Sequence, residues 1–169
     1  PAVMNAWRSS VVFVDAPLTR FHSVIVAIAM EDEAKPFIDH LRLEKVDGFF
    51  PSNTPFLAYS GTHENCKVTV VTNGKDSVYG TGVDNVGTVP ASLATYLALQ
   101  KEPNTDVVVN AGTCGGFKRQ GAVVGDVFVV TSSVNHDRRI PIPVFTPYGV
   151  GKLDKDEFYR QRLVDDHGF

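Results

Sequence analysis

The sequence predicts an α/β fold with a mostly parallel sheet, and three observations carry the prediction. Short runs of β-branched and apolar residues alternate with helix-like segments, the first such run passes directly into a cluster of acids, and another ends in a glycine-rich loop. Alternating strands and helices argue for a sheet covered by helices, with parallel neighbours. The glycine-rich loop is Asn110-Ala111-Gly112-Thr113-Cys114-Gly115-Gly116-Phe117, which comes directly after Val107-Val108-Val109. Glycine lets backbone turn and approach a ligand closely, and ligands in open α/β sheets bind at the carboxyl ends of the strands.

Ser23 to Met30 is a continuous β-branched run and reads as a strand; Glu31 to Leu41 reads as a helix with Glu31, Asp32 and Glu33 in its first turn, where the helix dipole favours acids. Pro36 is tolerable there only because it lies near the helix start. After Asp47-Gly48, Phe56 to Ser60 and Cys66 to Thr72 read as a hairpin joined by the polar turn Gly61 to Asn65. Asn73 to Gly87 carries glycines at 74, 80, 82 and 87, and Thr88 to Gln100 reads as an Ala/Leu-rich helix with Pro90 in its first turn. Asp106 to Asn110 reads as a central parallel strand buried on both faces. Gly121 to Asp126 turns the chain into Val127 to Thr131, an all-apolar strand, and Lys152 to Phe169 is a polar, helix-like tail in which Phe158, Tyr159, Leu163 and Val164 form only a thin apolar stripe. The domain limits expected are 1–22 as an N-terminal extension, 23–151 as the α/β domain and 152–169 as the tail. Four or five strands without a closing element suggest an incomplete sheet.

The chain has 169 residues, 43% hydrophobic and 21% charged, which is the composition of a soluble globular domain with one core. The formal charge of -3, spread without a block of either sign, gives no footprint for nucleic acid or an anionic membrane. A small-molecule or protein partner is expected. Val24 to Met30 is the longest apolar candidate and is cut off by Glu31-Asp32-Glu33, well short of the roughly 18 residues a transmembrane helix needs. The two cysteines, Cys66 and Cys114, make a disulfide framework improbable and point to a reducing compartment, cytoplasmic or organellar. The histidines at 22, 40, 63, 136 and 167 show no ligand spacing with cysteine or acid, so neither a metal nor a cofactor is expected.

Three segments together resemble the family of 5'-methylthioadenosine and S-adenosylhomocysteine nucleosidases, plant-type, within the purine nucleoside phosphorylase superfamily. They are IAMEDEA at 28–34, DNVGTVPASLATYLAL at 84–99, and NAGTCGGFKRQGAVVGDVFVV at 110–130 with HDRRIPIPVF at 136–145. The resemblance spans about Val24 to Gly151. It implies a three-layer nucleoside-phosphorylase-like fold with a mixed, mostly parallel sheet, and hydrolysis of an N-glycosidic bond to adenine and a 5-thio-ribose in methionine salvage. It also implies a homodimer with a nucleoside substrate.

That chemistry needs a base to activate water below the anomeric carbon, an acid to protonate the departing purine, and polar groups for the ribose hydroxyls. By the resemblance, Glu33 activates the water, Met30 contacts the ribose, and Thr113 with its neighbours Cys114 and Gly115 binds substrate. From spacing alone, Glu33 reads first as one of three acids stabilising a helix start, and Thr113 and Cys114 equally read as shaping a tight turn. His136-Asp137-Arg138-Arg139 reads as a structural charge network, and Lys75 with the glycines after it lacks the Gly-Lys-Ser/Thr ending of a phosphate-binding P-loop. The family's Met-Glu ribose clamp and its Ser-Asp acid have no counterpart after Gly151. The expectation is therefore a piece of a nucleosidase. A non-catalytic storage protein or accessory subunit, and a purine nucleoside phosphorylase, are the alternatives.

Overall fold

The computed structural model describes residues 21–130, 132–134 and 152–154. Strand β1 (Ser23–Ile28) leads into helix α1 (Glu31–Leu41); β2 (Glu44–Lys45), β3 (Leu57–His63) and β4 (Cys66–Thr72) come next, then α2 (Thr88–Lys101) and β5 (Val107–Ala111). These five strands form one sheet in the order β2-β3-β4-β1-β5. β1 runs parallel to both neighbours, while β3 is antiparallel to β2 and to β4, so the sheet is mixed.

Alternation of side chains along β1 and β4 builds two cores. Val26, Ile28, Val68 and Val70 pack with Ala34 on one face, where Ile38 and Leu41 of α1 join them. Ile25, Ala58 and Val71 pack on the other with Ala94 and Ala98 of α2 and with Phe49, Phe50 and Phe56. A helix on each face gives the three layers that the resemblance implies. Fully burying a Val or Ile side chain contributes about 1.5–3 kcal/mol, so β1 and β4, buried on both faces, carry much of the stability. The ladder is aligned at its start by Asp106, whose Oδ2 accepts the His22 and Ser23 amides at 2.6 and 2.9 Å.

The short local elements match their residues. α1 ends at Arg42 in the left-handed region (φ 53), with Leu43 N–H donating to the Ile38 carbonyl at 3.0 Å in a Schellman-type closure. Pro36 lies inside α1 and has no N–H to offer the Asp32 carbonyl. The hairpin forms as expected, but its turn is two residues rather than five: β3 runs on to His63, opposite Cys66, and Glu64 and Asn65 turn at φ 46 and 68. Two positive φ values make a twist that suits the flanking strands.

Three expectations need correction. Among the described residues β5 is an edge strand, paired with β1 alone, and Val108 and Val109 are 38% and 41% exposed rather than buried on both faces. A run of valines reads alike at the edge and the centre of a parallel sheet, because the pattern reports the strand and not its neighbours. Val127 to Val130 forms no strand, and Val127 is 91% exposed; strand β6 is Ser132–Val134 instead. β-propensity without a ladder partner does not make a strand. Lys152–Asp154 is strand β7, antiparallel to β6, where a helix-like tail was expected. Pairing with β6 supplies backbone partners that outweigh a thin local helical pattern. The rest of that tail, the N-terminal 1–20 and His136 to Arg139 lie outside the described residues. The chain divides after Gly115 into two compact units.

Thr72, at the end of β4, is wholly buried, and its Oγ1 has no hydrogen-bond partner among the described residues. A buried hydroxyl without a partner costs about 1–3 kcal/mol of desolvation. Thr72→Val, nearly isosteric, is therefore expected to raise the urea unfolding midpoint, by about 1 kcal/mol in stability. A lower midpoint would mean that the hydroxyl is satisfied.

Candidate functional site

Parallel pairing places the carboxyl ends of β1, β4 and β5 side by side: Ile28 faces Thr72 on one flank and Ala111 on the other. The segments leaving the three strands therefore converge. A cleft of about 330 Å³ lies there, lined by Ala29, Met30 and Glu33 after β1, Asn73 after β4, Gly112 and Thr113 after β5, and Ala91, Ala94 and Thr95 of α2.

Glu33 sits in the first turn of α1, where Thr113 reaches it across 80 residues of sequence. The Thr113 amide donates to Glu33 Oε1 at 2.9 Å and its hydroxyl donates to the same oxygen at 2.5 Å. Oε2 lies against Gly112, where a Cβ would come 3.4 Å from it. The Thr113 hydroxyl, then its amide, hold the Glu33 carboxyl below its ordinary value of 4.5, and the Met30 amide adds to the pull. Partial desolvation and the nearby Asp84 charge push it up without prevailing. Glu33 is thus ionised at neutral pH, a fixed carboxylate at the wall of a cleft. Such a group can orient a water and accept its proton.

A carboxylate whose folded pKa is depressed contributes stability that is present above its unfolded pKa and lost as pH falls through the folded one. Thr113→Val keeps the amide bond and removes the hydroxyl, which raises the folded pKa toward 4.5. In urea denaturation from pH 7 down to acid, the pH-dependent part of the wild-type advantage should be present at neutral pH and vanish in acid. An advantage independent of pH would show that the hydroxyl does not set this titration.

Of the residues the sequence singles out, Glu33, Met30 and Thr113 come together at the cleft. Cys114 is exposed and Gly115 stands in open space, with nothing within 4 Å of where its Cβ would be; neither lines the cleft. Lys75 lies 3.9 Å from Asp84 Oδ2, so its charge is already matched. Asn73 is only 3% exposed, lines the cleft and donates its Nδ2 to the Asn85 carbonyl at 2.8 Å, yet it lies in none of the resembling segments; Val86, within the 84–99 segment, lines the cleft too, though the resemblance gives it no role. The signal for Asn73 is position alone: it stands directly after the last residue of a buried strand. Among the described residues, no group of three or more His, Cys, Asp or Glu could hold a metal ion, and no helix is long and apolar enough to cross a membrane.

Known proteins are similar to this chain in both sequence and architecture. Residues 23–166 match the model of the phosphorylase superfamily. A 5'-methylthioadenosine nucleosidase of Arabidopsis thaliana is 48% identical over 130 residues, 76% of this chain and 48% of that protein. A 5'-methylthioadenosine/S-adenosylhomocysteine nucleosidase of the same plant is 46% identical over 133 residues, 76% of this chain and 50% of that one. The solved apo structure of Arabidopsis thaliana 5'-methylthioadenosine nucleosidase superposes with a TM-score of 0.72 at 45% identity, covering 79% of this chain and 54% of that chain. The chain spans about half the length of the curated relatives it matches. With its described five-stranded sheet inside the matched segment, and with an α/β/α arrangement of its own, the chain belongs to the phosphorylase superfamily.

Proposed function

We propose that the cleft binds 5'-methylthioadenosine, or S-adenosylhomocysteine, and that Glu33 activates the water that hydrolyses its N-glycosidic bond. Adenine and a 5-thio-ribose are the products, as methionine salvage requires. The observation that carries this reading is the ionised Glu33 carboxylate, fixed by two Thr113 bonds at the carboxyl ends of three parallel strands. The nucleosidase relatives support the substrate class.

In this reading the carboxylate steadies the positive charge that develops on the ribose as the bond to adenine breaks; Glu33 then takes a proton from the water whose oxygen bonds to the anomeric carbon, and the departing purine nitrogen takes up a proton from solvent. Thr113 keeps the carboxylate in place, and Met30 offers an apolar contact beside the sugar. Phosphorolysis would instead need a cation free to hold phosphate, and Lys75 is already matched by Asp84. The resemblance further supports a homodimer, and the free thiols of Cys66 and Cys114 suit a reducing, cytoplasmic or organellar setting. The test is adenine release from methylthioadenosine by the purified protein, with and without phosphate. Adenine with free thio-ribose in both conditions is expected. Phosphate-dependent release, with a ribose 1-phosphate product, would replace hydrolysis by phosphorolysis, and no release would remove the enzymatic reading.

A further inference from the structure

We propose that Asp84 is a positioning residue for Glu33: from the loop between β4 and α2 it caps the helix on which Glu33 stands. The role rests on the reading of Glu33 as the water-activating group.

The residue before helix α1 gives it no side-chain cap. The first amides of a helix have no partner within the helix, and the preceding residue ordinarily supplies a side-chain oxygen. Here that residue is Met30, which makes no side-chain cap and lines the cleft instead. The acceptor arrives from 53 residues away: Asp84 Oδ1 takes the Glu31 amide at 3.0 Å. A cleft-lining methionine at the cap position and a stable helix start become compatible because the cap is delivered by another segment.

Asp84 is itself firmly held. Its side chain is only 11% exposed, and acids are rarely buried unless paired. Lys75 Nζ lies 3.9 Å from Oδ2, and the two residues also face one another across an antiparallel bridge. The Asp76 amide donates to the Val83 carbonyl at 2.8 Å, and the Asn85 amide to the Gly74 carbonyl at 2.9 Å, so the loop is cinched at its base. Asn73, buried in the cleft wall, bonds the Asn85 carbonyl. The chain of contacts thus runs from the cleft wall through Asn85 and Asp84 to Glu31, two residues before Glu33. Three acids already occupy the first turn of α1, and Asp84 adds a fourth negative charge beside it. The helix dipole favours that charge, and Lys75 offsets it.

The test compares Asp84→Ala, Asp84→Asn and Glu33→Gln in the intact protein. Loss of the cap lets the first turn shift, and small displacements of a catalytic group are costly. Asp84→Ala should lower kcat about tenfold with KM unchanged. Asp84→Asn, which retains an oxygen acceptor for the Glu31 amide, should recover most of that loss. A second readout needs no turnover: in ¹³C NMR of the side-chain carboxylates, the Glu33 signal, identified by its disappearance in Glu33→Gln, should titrate at lower pH in Asp84→Asn than in wild type, because a neighbouring negative charge is gone. A Glu33 titration unmoved by Asp84→Asn would overturn the proposal, as would Asp84→Ala with an undiminished kcat or a loss confined to KM. If Glu33→Gln leaves adenine release intact, the reading of Glu33 fails, and the NMR comparison still decides whether Asp84 governs its carboxylate.

Discussion

Glu33→Gln should lower the rate of adenine release from methylthioadenosine by about 10²- to 10⁴-fold, the usual worth of a positioned general base. Glutamine keeps the length of the side chain and one oxygen, so the Thr113 amide and hydroxyl retain an acceptor where Oε1 now lies. The variant loses the negative charge and the capacity to take a proton from water. The loss should fall on kcat with KM nearly unchanged, because the interaction is made chiefly in the transition state. Far-UV circular dichroism of the variant should match wild type, and its thermal unfolding should fall only by the stability that the ionised carboxylate contributes at neutral pH, which separates lost chemistry from lost structure. A variant that keeps a tenth or more of the rate would assign the proton to another group.

Gly74→Ala should have the largest effect on stability, at least about 3 kcal/mol in urea denaturation. Gly74 turns the chain at φ +64 directly after Asn73, and a Cβ built there would lie 1.7 Å from the Pro55 carbonyl oxygen and 2.6 Å from its carbon. No side chain can swing aside, since the atoms in the way are backbone. The comparison is Gly80→Ala and Gly82→Ala, at φ +65 and +68 with nothing within 4 Å of the added carbon. These two bear only the left-handed strain, about 1–2 kcal/mol. Equal costs at all three positions would show that the loop before β3 yields easily. Unequal costs would confirm that Pro55 presses on the backbone whose carbonyl, at Gly74, receives both the amide and the Nδ2 of Asn85.

The parts of this fold that were legible in the sequence are those encoded by neighbours in the chain. β1 and α1 announce themselves through a β-branched run that passes at once into Glu31-Asp32-Glu33, and the β3–β4 hairpin through two strand-like runs around a polar turn. The family resemblance added Glu33, Met30 and Thr113, which spacing alone left undecided, and the structure brings all three to one cleft. The hidden parts depend on residues far apart. Nothing near Asp84 says that it will cap a helix starting at Glu31, and nothing in three consecutive valines says that β5, among the described residues, will be paired with β1 alone. Val127 to Val130 has strand composition but joins no ladder among the described residues, so composition misled there. Cys114 and Gly115 share a motif with Thr113, but consecutive residues leaving a strand diverge in direction, and only the first of them meets Glu33.

The central place of β1 also sets a timetable for synthesis. β1 is made before either strand it pairs with: β4 emerges only after the β2–β3 region, and the Asp106 carboxylate that fastens its start is 84 residues beyond His22. The β3–β4 hairpin closes locally and can form early, whereas pairing across such separations must first overcome the entropy of a long loop. At about 5–20 residues per second on the ribosome, the Val24 to Ile28 strand spends several seconds as an apolar segment awaiting its second neighbour. The bond from Thr113 to Glu33 spans 80 residues and can close only after that. The carboxylate is thus translated 80 residues ahead of the group that orients it.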